Sequence, residues 1–145
     1  MIKKIALALL AALVVIQFFQ IDTTNPQTDP SNDFLAKMKP EPEVANLIRS
    51  ACYDCHSNET QYPFYAKINP IGWILKDHVN EGREELNFSN WTSYTLKRMD
   101  HKLEECVELI DSGEMPMESY TWIHGEAKLT NEQRAKLAAY FSSLR

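Results

Sequence analysis

Glycine and cysteine are both scarce in this sequence of 145 residues, which contains four of the first and three of the second. So few glycines argue against a collagen-like chain and against a glycine-rich phosphate-binding loop. Three cysteines are too few for a disulfide scaffold, and an odd number leaves at least one thiol free or committed to another purpose. The chain is also too short for an α/β barrel, so it fits one globular domain.

Positive charge is scarce as well, because 15 Lys and Arg residues face 20 Asp and Glu residues and the formal net charge is −5. Proteins that bind nucleic acids need basic side chains to neutralise phosphates, so this balance argues against such a partner. No stretch shows the sustained alternation of apolar and polar residues that is typical of a half-buried strand. The sequence therefore predicts an all-α fold.

The first 21 residues combine a basic start with an apolar run. Lys3 and Lys4 precede an apolar stretch from Ile5 to Ile16, which continues as far as Ile21. This pattern indicates export, and we expect residues 1–21 to be an uncleaved signal anchor, with a cleaved signal peptide as the alternative. The lysines would stay inside, so the remainder would lie on the periplasmic side of a bacterial inner membrane, or free in the periplasm after cleavage.

Residues 22–39 are polar and rich in turn-forming residues, and we expect them to be a tether that gives the domain reach from the membrane. Residues 40–145 would then form the functional domain. Removing the charges of Lys3 and Lys4 from the net charge of −5 leaves −7 for the exported part. We therefore expect its partners to carry basic docking surfaces rather than to be anionic lipids. We also expect a monomer.

Four helices are expected in this domain, and their ends carry recognisable signals. Pro42 suits the first turn of the first helix, Gly113 suits a left-handed position after the third, and Thr130 with Gln133 fits a capping box at the fourth. The expected helices span residues 44–52, 71–86, 91–112 and 130–144.

The segment Cys52-Tyr53-Asp54-Cys55-His56 carries the chemistry of this sequence. In an exported chain, Cys-x-x-Cys-His is the attachment signature of c-type haem. The two thiols can form thioethers to the two vinyl groups on one edge of the porphyrin, and His56 can then reach the iron as the proximal ligand. A redox dithiol would need a preceding strand, and a zinc site a second ligand pair, so we expect one covalent haem. Cys106 lies in an apolar helix stripe and is predicted to be a buried thiol.

The second axial ligand is left open by this motif. Met115 and Met117 lie in a loop before the last helix, where a thioether can reach the iron without competing for a position in the core. Met115 is the first candidate, followed by Met117 and His78. His101 and His124 are further alternatives.

The order of the motif, the Met115-Pro116 loop and a closing helix from Leu129 to Tyr140 resembles a class I cytochrome c. A closer resemblance is to the short bacterial haem-binding domain proteins, which are exported and often anchored. The segments that carry it are Ser50–Asn58, His78–Trp91 and Gly113–Pro116. The resemblance covers nearly all of residues 40–145.

This resemblance implies covalent haem c inside a cytochrome c-like helical domain, with His56 and Met115 as axial ligands. A plain class I cytochrome lacks the segment that begins at His78, so ligation by two histidines remains an alternative. In cytochromes c, a proline carbonyl after the motif accepts the proton of the proximal imidazole. The resemblance assigns this role to Pro70, with Pro63 as the alternative.

Arg83 is the candidate for binding the haem propionates, because a guanidinium matches the fork of a carboxylate. Four aromatic side chains could wall the haem or belong to the core, namely Trp73, Trp91, Tyr120 and Trp122.

A haem with both axial positions filled has no vacant site for a substrate, so the expected function is that of an electron carrier rather than an enzyme. A displaceable distal ligand would instead allow a gas sensor or a small peroxidase. A third interpretation is a haem module that docks to a larger oxidase or dehydrogenase.

Overall fold

The structure is a computed structural model that describes all 145 residues. It contains seven α-helices and no strand, which confirms the predicted all-α class. The helices are α1 (Ile2–Ile16), α2 (Phe34–Met38), α3 (Pro42–His56), α4 (Ile71–Glu85), α5 (Leu96–Ser112), α6 (Glu118–Thr121) and α7 (Asn131–Ser143). Short 3-10 helices connect them at Pro30–Asn32, Phe64–Lys67, Phe88–Ser93 and Gly125–Ala127.

The helix ends follow the signals in the sequence. Pro42 is the first residue of α3, and Gly113 ends α5 with a left-handed φ of 81°. Thr130 and Gln133 form the predicted capping box at the start of α7. Two helix ends differ from the expectation. The third expected helix, over residues 91–112, is α5 and begins only at Leu96, because residues 88–93 form a 3-10 helix. Helix α3 was expected to end at Cys52 but continues to His56. The Cys-x-x-Cys-His motif is therefore the last turn of a helix, so its three functional side chains are carried on one rigid element.

The core lies where α3, α5 and α7 meet the N-terminal segment and the 3-10 turn after α4. Its largest fully buried apolar side chains are Trp91, Phe34, Phe88, Phe141, Ile48 and Leu137. Phe34 packs edge-on against Trp91, with ring centroids 4.9 Å apart. Trp91, one of the aromatic residues that could have walled a haem, is therefore a core residue.

The prediction that residues 22–39 form a tether is wrong, because this segment is part of the domain. Phe34 is completely buried in the core. Asp33 caps α2 and accepts a hydrogen bond of 2.9 Å from the hydroxyl of Tyr53. Asn25 is hydrogen-bonded to the rest of the domain through both ends of its amide. Polar composition indicated a linker, but one buried aromatic ring and several polar side chains fix this segment in place.

Helix α1 lies outside the core, and none of its residues is buried. None of the helices combines the length and the apolar character that crossing a membrane requires. The role of residues 1–21 as an anchor or a signal stays a prediction.

Candidate functional site

A cavity of about 400 Å³ lies among α3, α4, α5 and α7 and the loop that follows α5. Its walls are mostly apolar, and its volume falls in the range that small-molecule and cofactor sites occupy. The predicted site residues that line it are Cys52, Cys55, His56, His78, Met115 and Met117. Residues from the two ends of the predicted domain therefore meet at one cavity.

The imidazole of His56 is held by the end of α4. Its Nδ1 lies 2.8 Å from the carbonyl oxygen of Gly82 and 3.2 Å from that of Leu86. Carbonyl oxygens only accept hydrogen bonds, so Nδ1 carries the proton and the lone pair is on Nε2. Nε2 makes no hydrogen bond, and burial lowers the pKa of the ring. His56 is thus a neutral, oriented imidazole with a free nitrogen, which is the form that binds a metal.

Gly82 makes this arrangement possible because it lets α4 touch the motif directly. A Cβ atom at this position would lie 2.8 Å from the carbonyl oxygen of Cys55 and 3.2 Å from its Cβ. Any larger residue would push α4 outward and carry the Gly82 carbonyl away from His56. A glycine inside an otherwise helical pattern is the one sequence signal that points to such close packing.

The assignment of Pro70 as the hydrogen-bond acceptor for His56 is wrong. The Pro70 carbonyl begins α4 and accepts from the backbone N–H groups of Trp73 and Ile74. The carbonyl of the alternative, Pro63, accepts from Ala66. The acceptors for His56 come instead from the C-terminal end of α4, since that is the end of the helix that crosses the motif.

Arg83 does not line the cavity, so the structure corrects its assignment to the haem propionates. Its Nε donates to the carbonyl of Ser57 at 2.7 Å. Its Nη2 donates to Asn25 Oδ1 at 2.7 Å and to Thr60 Oγ1 at 2.8 Å. The guanidinium joins the N-terminal segment to the turn that follows the motif. It therefore stabilises this turn without lining the cavity.

The three thiols are protonated and face the same space. Burial raises the pKa of Cys52 far above its usual value, that of Cys55 to about 11 and that of Cys106 to about 12. Cys106 was predicted to be a buried thiol; it is half-buried and packs against the core. It also lines the cavity.

The loop that bears Met115 is clamped from α7. Arg134 Nη1 donates to the carbonyls of Met115 at 2.9 Å and Ile110 at 3.0 Å. The backbone N–H of Met115 donates to Leu109, which ties the loop to the last turn of α5. Arg134 was missed in the sequence because a helix surface normally carries such a side chain without any special role.

A polar network joins α6 to the motif. The hydroxyl of Tyr120 donates to Asp54 Oδ2 at 2.7 Å, and burial together with this carboxylate raises the pKa of Tyr120. The ring of His124 stacks on that of Tyr120, and its Nε2 lies 2.8 Å from the hydroxyl of Tyr65. Tyr120 and Tyr65 line the cavity. The segment after Met115 is therefore fastened to the opposite wall.

The remaining candidates for iron ligands and haem-wall residues divide into those that line the cavity and those that do not. The ring nitrogens of His124 face Tyr65 and Glu126, and His101 lies outside the cavity beside Glu104 and Glu105. His78 lines the cavity on α4 and makes no hydrogen bond. Trp73 and Trp122 are exposed and do not line the cavity. Met115, Met117 and His78 are the second-ligand candidates that the structure brings to the cavity.

These residues fit a haem. A porphyrin needs an apolar chamber, and its iron needs a neutral imidazole with a free nitrogen and a second soft or nitrogen donor; the cavity provides each of these. The two thiols of the motif stand at the wall beside His56.

Comparison with protein families matches residues 11–143 to a haem-binding domain. Comparison with curated proteins and with solved structures found no match. The matched range includes residues 22–39, in agreement with their place in the domain. The cavity, the free imidazole nitrogen of His56 and this match over most of the sequence lead to the same conclusion, that the chain belongs to the haem-binding domain family.

Proposed function

We propose that this protein is a mono-haem c-type cytochrome that carries electrons on the periplasmic side of a bacterial inner membrane. The observation that carries the proposal is the meeting of Cys52, Cys55 and His56 with the Met115 loop at one apolar cavity. Haem supplies one-electron redox chemistry at its iron when it is bound. The protein's part is to attach, orient and enclose it.

Attachment is assigned to Cys52 and Cys55, each of which would form a thioether to one vinyl group. Because both thiols stand on the last turn of α3, the distance between them is set by the helix. The carbonyls of Gly82 and Leu86 fix the tautomer and the orientation of His56 and make it a more basic ligand.

Met115 is the residue that would hold the iron together with His56. Its loop is held by hydrogen bonds to Arg134 and to the end of α5, so the thioether is presented by a fixed backbone. An iron held by both His56 and Met115 would have no position left for a substrate, and a methionine ligand would favour a high reduction potential. These features support an electron carrier over an enzyme.

A basic redox partner is supported by the charges at the cavity edge. Glu81 and Glu85 are exposed on α4, and Glu105 lies on α5 at the same cavity. Lys102 is held between Glu85 and Glu105, at 3.1 and 2.6 Å, and neutralises part of this charge. The remaining negative charge would steer a basic surface toward the cavity, with an association rate that falls as salt rises.

The test of covalent attachment uses the three cysteines. Cys52→Ala and Cys55→Ala should each lose one thioether, and the double variant should release its haem on denaturation. Cys106→Ala is the matched control, because this thiol faces the same cavity but lies outside the motif. Haem staining on a denaturing gel and the mass of the unfolded chain measure the bond. Haem that dissociates from the unfolded wild-type chain would reject the proposal.

A gas sensor or small peroxidase is the second candidate, and one observation favours it. The hydroxyl of Tyr65 stands at the cavity wall in contact with His124, so a polar group is available to a small ligand. Rapid binding of carbon monoxide to the reduced protein at neutral pH would support this function. Slow or absent binding would support a fixed second ligand.

A further inference from the structure

An exposed apolar surface surrounds the start of α4. It consists of Phe64, Ile68, Ile71, Trp73 and Ile74, and we call it the α4 patch. Phe64 is 79% exposed, and each of the others leaves at least a third of its surface in contact with solvent. Soluble proteins seldom gather so many large apolar side chains on one outer face without a partner.

The end of α1 is fastened to this patch. Gln17 and Asn69 exchange two hydrogen bonds, of 2.9 and 3.0 Å. Asn69 Nδ2 donates to the carbonyls of Ile16 and Phe19, both at 2.9 Å. Trp73 Nε1 also donates to Phe19, at 2.9 Å. Because Asn69 is buried, these hydrogen bonds fix the C-terminal end of α1 to the domain, so no loose linker separates the two.

The apolar composition of α1 indicates what covers the α4 patch. Beyond Lys4 it has no charged residue, and all its sides are apolar and exposed. A helix that is apolar on every side needs apolar surroundings. Phe18 and Phe19, which follow α1, are exposed as well, and the Phe19 carbonyl is the acceptor for Trp73 of the patch. A lipid bilayer can cover α1 and the patch together without a shaped protein groove, and it can do so without α1 crossing it.

The surroundings of the patch suit a membrane surface. Trp73 has an apolar ring and one polar edge, as do the aromatic residues that collect at the level of the lipid headgroups. Lys67 is exposed on the same 3-10 turn as Phe64, where an ammonium group can reach anionic headgroups.

We propose that the α4 patch rests on a lipid bilayer beside α1. Because Ile71 and Ile74 belong both to the patch and to the cavity wall, that edge of the cavity faces the membrane. The domain lies on the lipid in a fixed orientation instead of moving on a tether. This inference depends only on the exposed apolar side chains and on the hydrogen bonds that join α1 to the patch. It therefore holds or fails independently of the assignment of the iron ligands.

The experiment measures contact with lipid at defined positions of the full-length, haem-loaded protein. The background is Trp73→Phe with Trp122→Phe, which leaves the buried Trp91 as a constant signal. Phe64→Trp then places an indole in the patch. Leu96→Trp is the matched control, because Leu96 is equally exposed, at 83%, but lies on α5 outside the patch. Each variant is bound to vesicles of phosphatidylglycerol and phosphatidylcholine, with or without bromine on the acyl chains.

For each variant, the ratio of its fluorescence in brominated vesicles to that in unbrominated vesicles cancels any constant quenching by the haem. An apolar surface on a bilayer reaches about 5–10 Å into the boundary between headgroups and acyl chains, so the indole of Phe64→Trp should lose fluorescence in brominated vesicles. The background and Leu96→Trp should not. An unquenched Phe64→Trp overturns the proposal, since it means that α1 alone is in lipid or that a second copy covers the patch. Equal quenching of Leu96→Trp overturns it as well.

Discussion

Alanine at position 82 would disturb the contact on which the orientation of His56 depends. The new Cβ would lie 2.8 Å from the carbonyl oxygen of Cys55, and 3.1 Å from its carbonyl carbon. Both atoms belong to the backbone of α3, so no side chain can swing aside. Helix α4 would have to move out by about 0.6 Å, since ordinary contacts of this kind begin near 3.4 Å.

Two opposing terms set the size of the effect. Overpacking of this kind costs about 1–3 kcal/mol, while alanine in place of glycine inside a helix contributes about 1 kcal/mol. The net loss of stability is therefore about 1 kcal/mol, or about 4 °C in Tm. The same movement would lengthen the 2.8 Å contact between His56 Nδ1 and the Gly82 carbonyl, which weakens the hydrogen bond that makes the imidazole more basic.

Thermal unfolding of the haem-loaded protein, followed by circular dichroism, checks this prediction, and the reduction potential reports on His56. Gly125→Ala is the matched control, because a Cβ at Gly125 meets no atom within 4 Å. That variant should be neutral, or more stable by up to about 1 kcal/mol. If Gly82→Ala were as stable as Gly125→Ala and kept the wild-type potential, the reasoning about close packing at His56 would be refuted.

Three further predictions follow from the same structure. Arg134→Met removes the two hydrogen bonds that hold the Met115 loop, so the reduced variant should bind carbon monoxide faster than the wild type; an unchanged rate would contradict the clamp. Phe34→Ala should cost about 3–5 kcal/mol in urea unfolding, whereas no loss would restore the tether over residues 22–39. Cys106, with its pKa raised to about 12, should react with iodoacetamide at pH 8 far more slowly in the folded than in the unfolded chain; equal rates would contradict the raised pKa of this half-buried thiol.

The sequence was most informative where a local pattern determines the structure. The capping box at Thr130 and the glycine after α5 depend only on neighbouring residues, and both lie where they were expected. The helical periodicity was enough to predict the all-α class. The spacing of the Cys-x-x-Cys-His motif fixes which side chains share the end of α3, and this is why the central part of the site could be predicted.

The errors concern contacts between distant segments. The acceptor for His56 depends on which end of α4 crosses α3, and no local pattern records that crossing. Residues 22–39 belong to the domain because Phe34 is buried in its core, and Phe34 is one apolar residue in a largely polar stretch. Arg134 acts on a loop that precedes it by 19 residues, through a backbone carbonyl that has no sequence signature.

The assignment of the iron ligands is tested most directly by the near-infrared absorption of the oxidised protein. Coordination of iron by methionine sulfur gives a weak charge-transfer band in this region. We expect the band in the wild type, in Met117→Ala and in His78→Ala, and its loss in Met115→Ala. A band that survives in Met115→Ala, or a low-spin spectrum that is lost only in His78→Ala, would contradict the assignment of Met115.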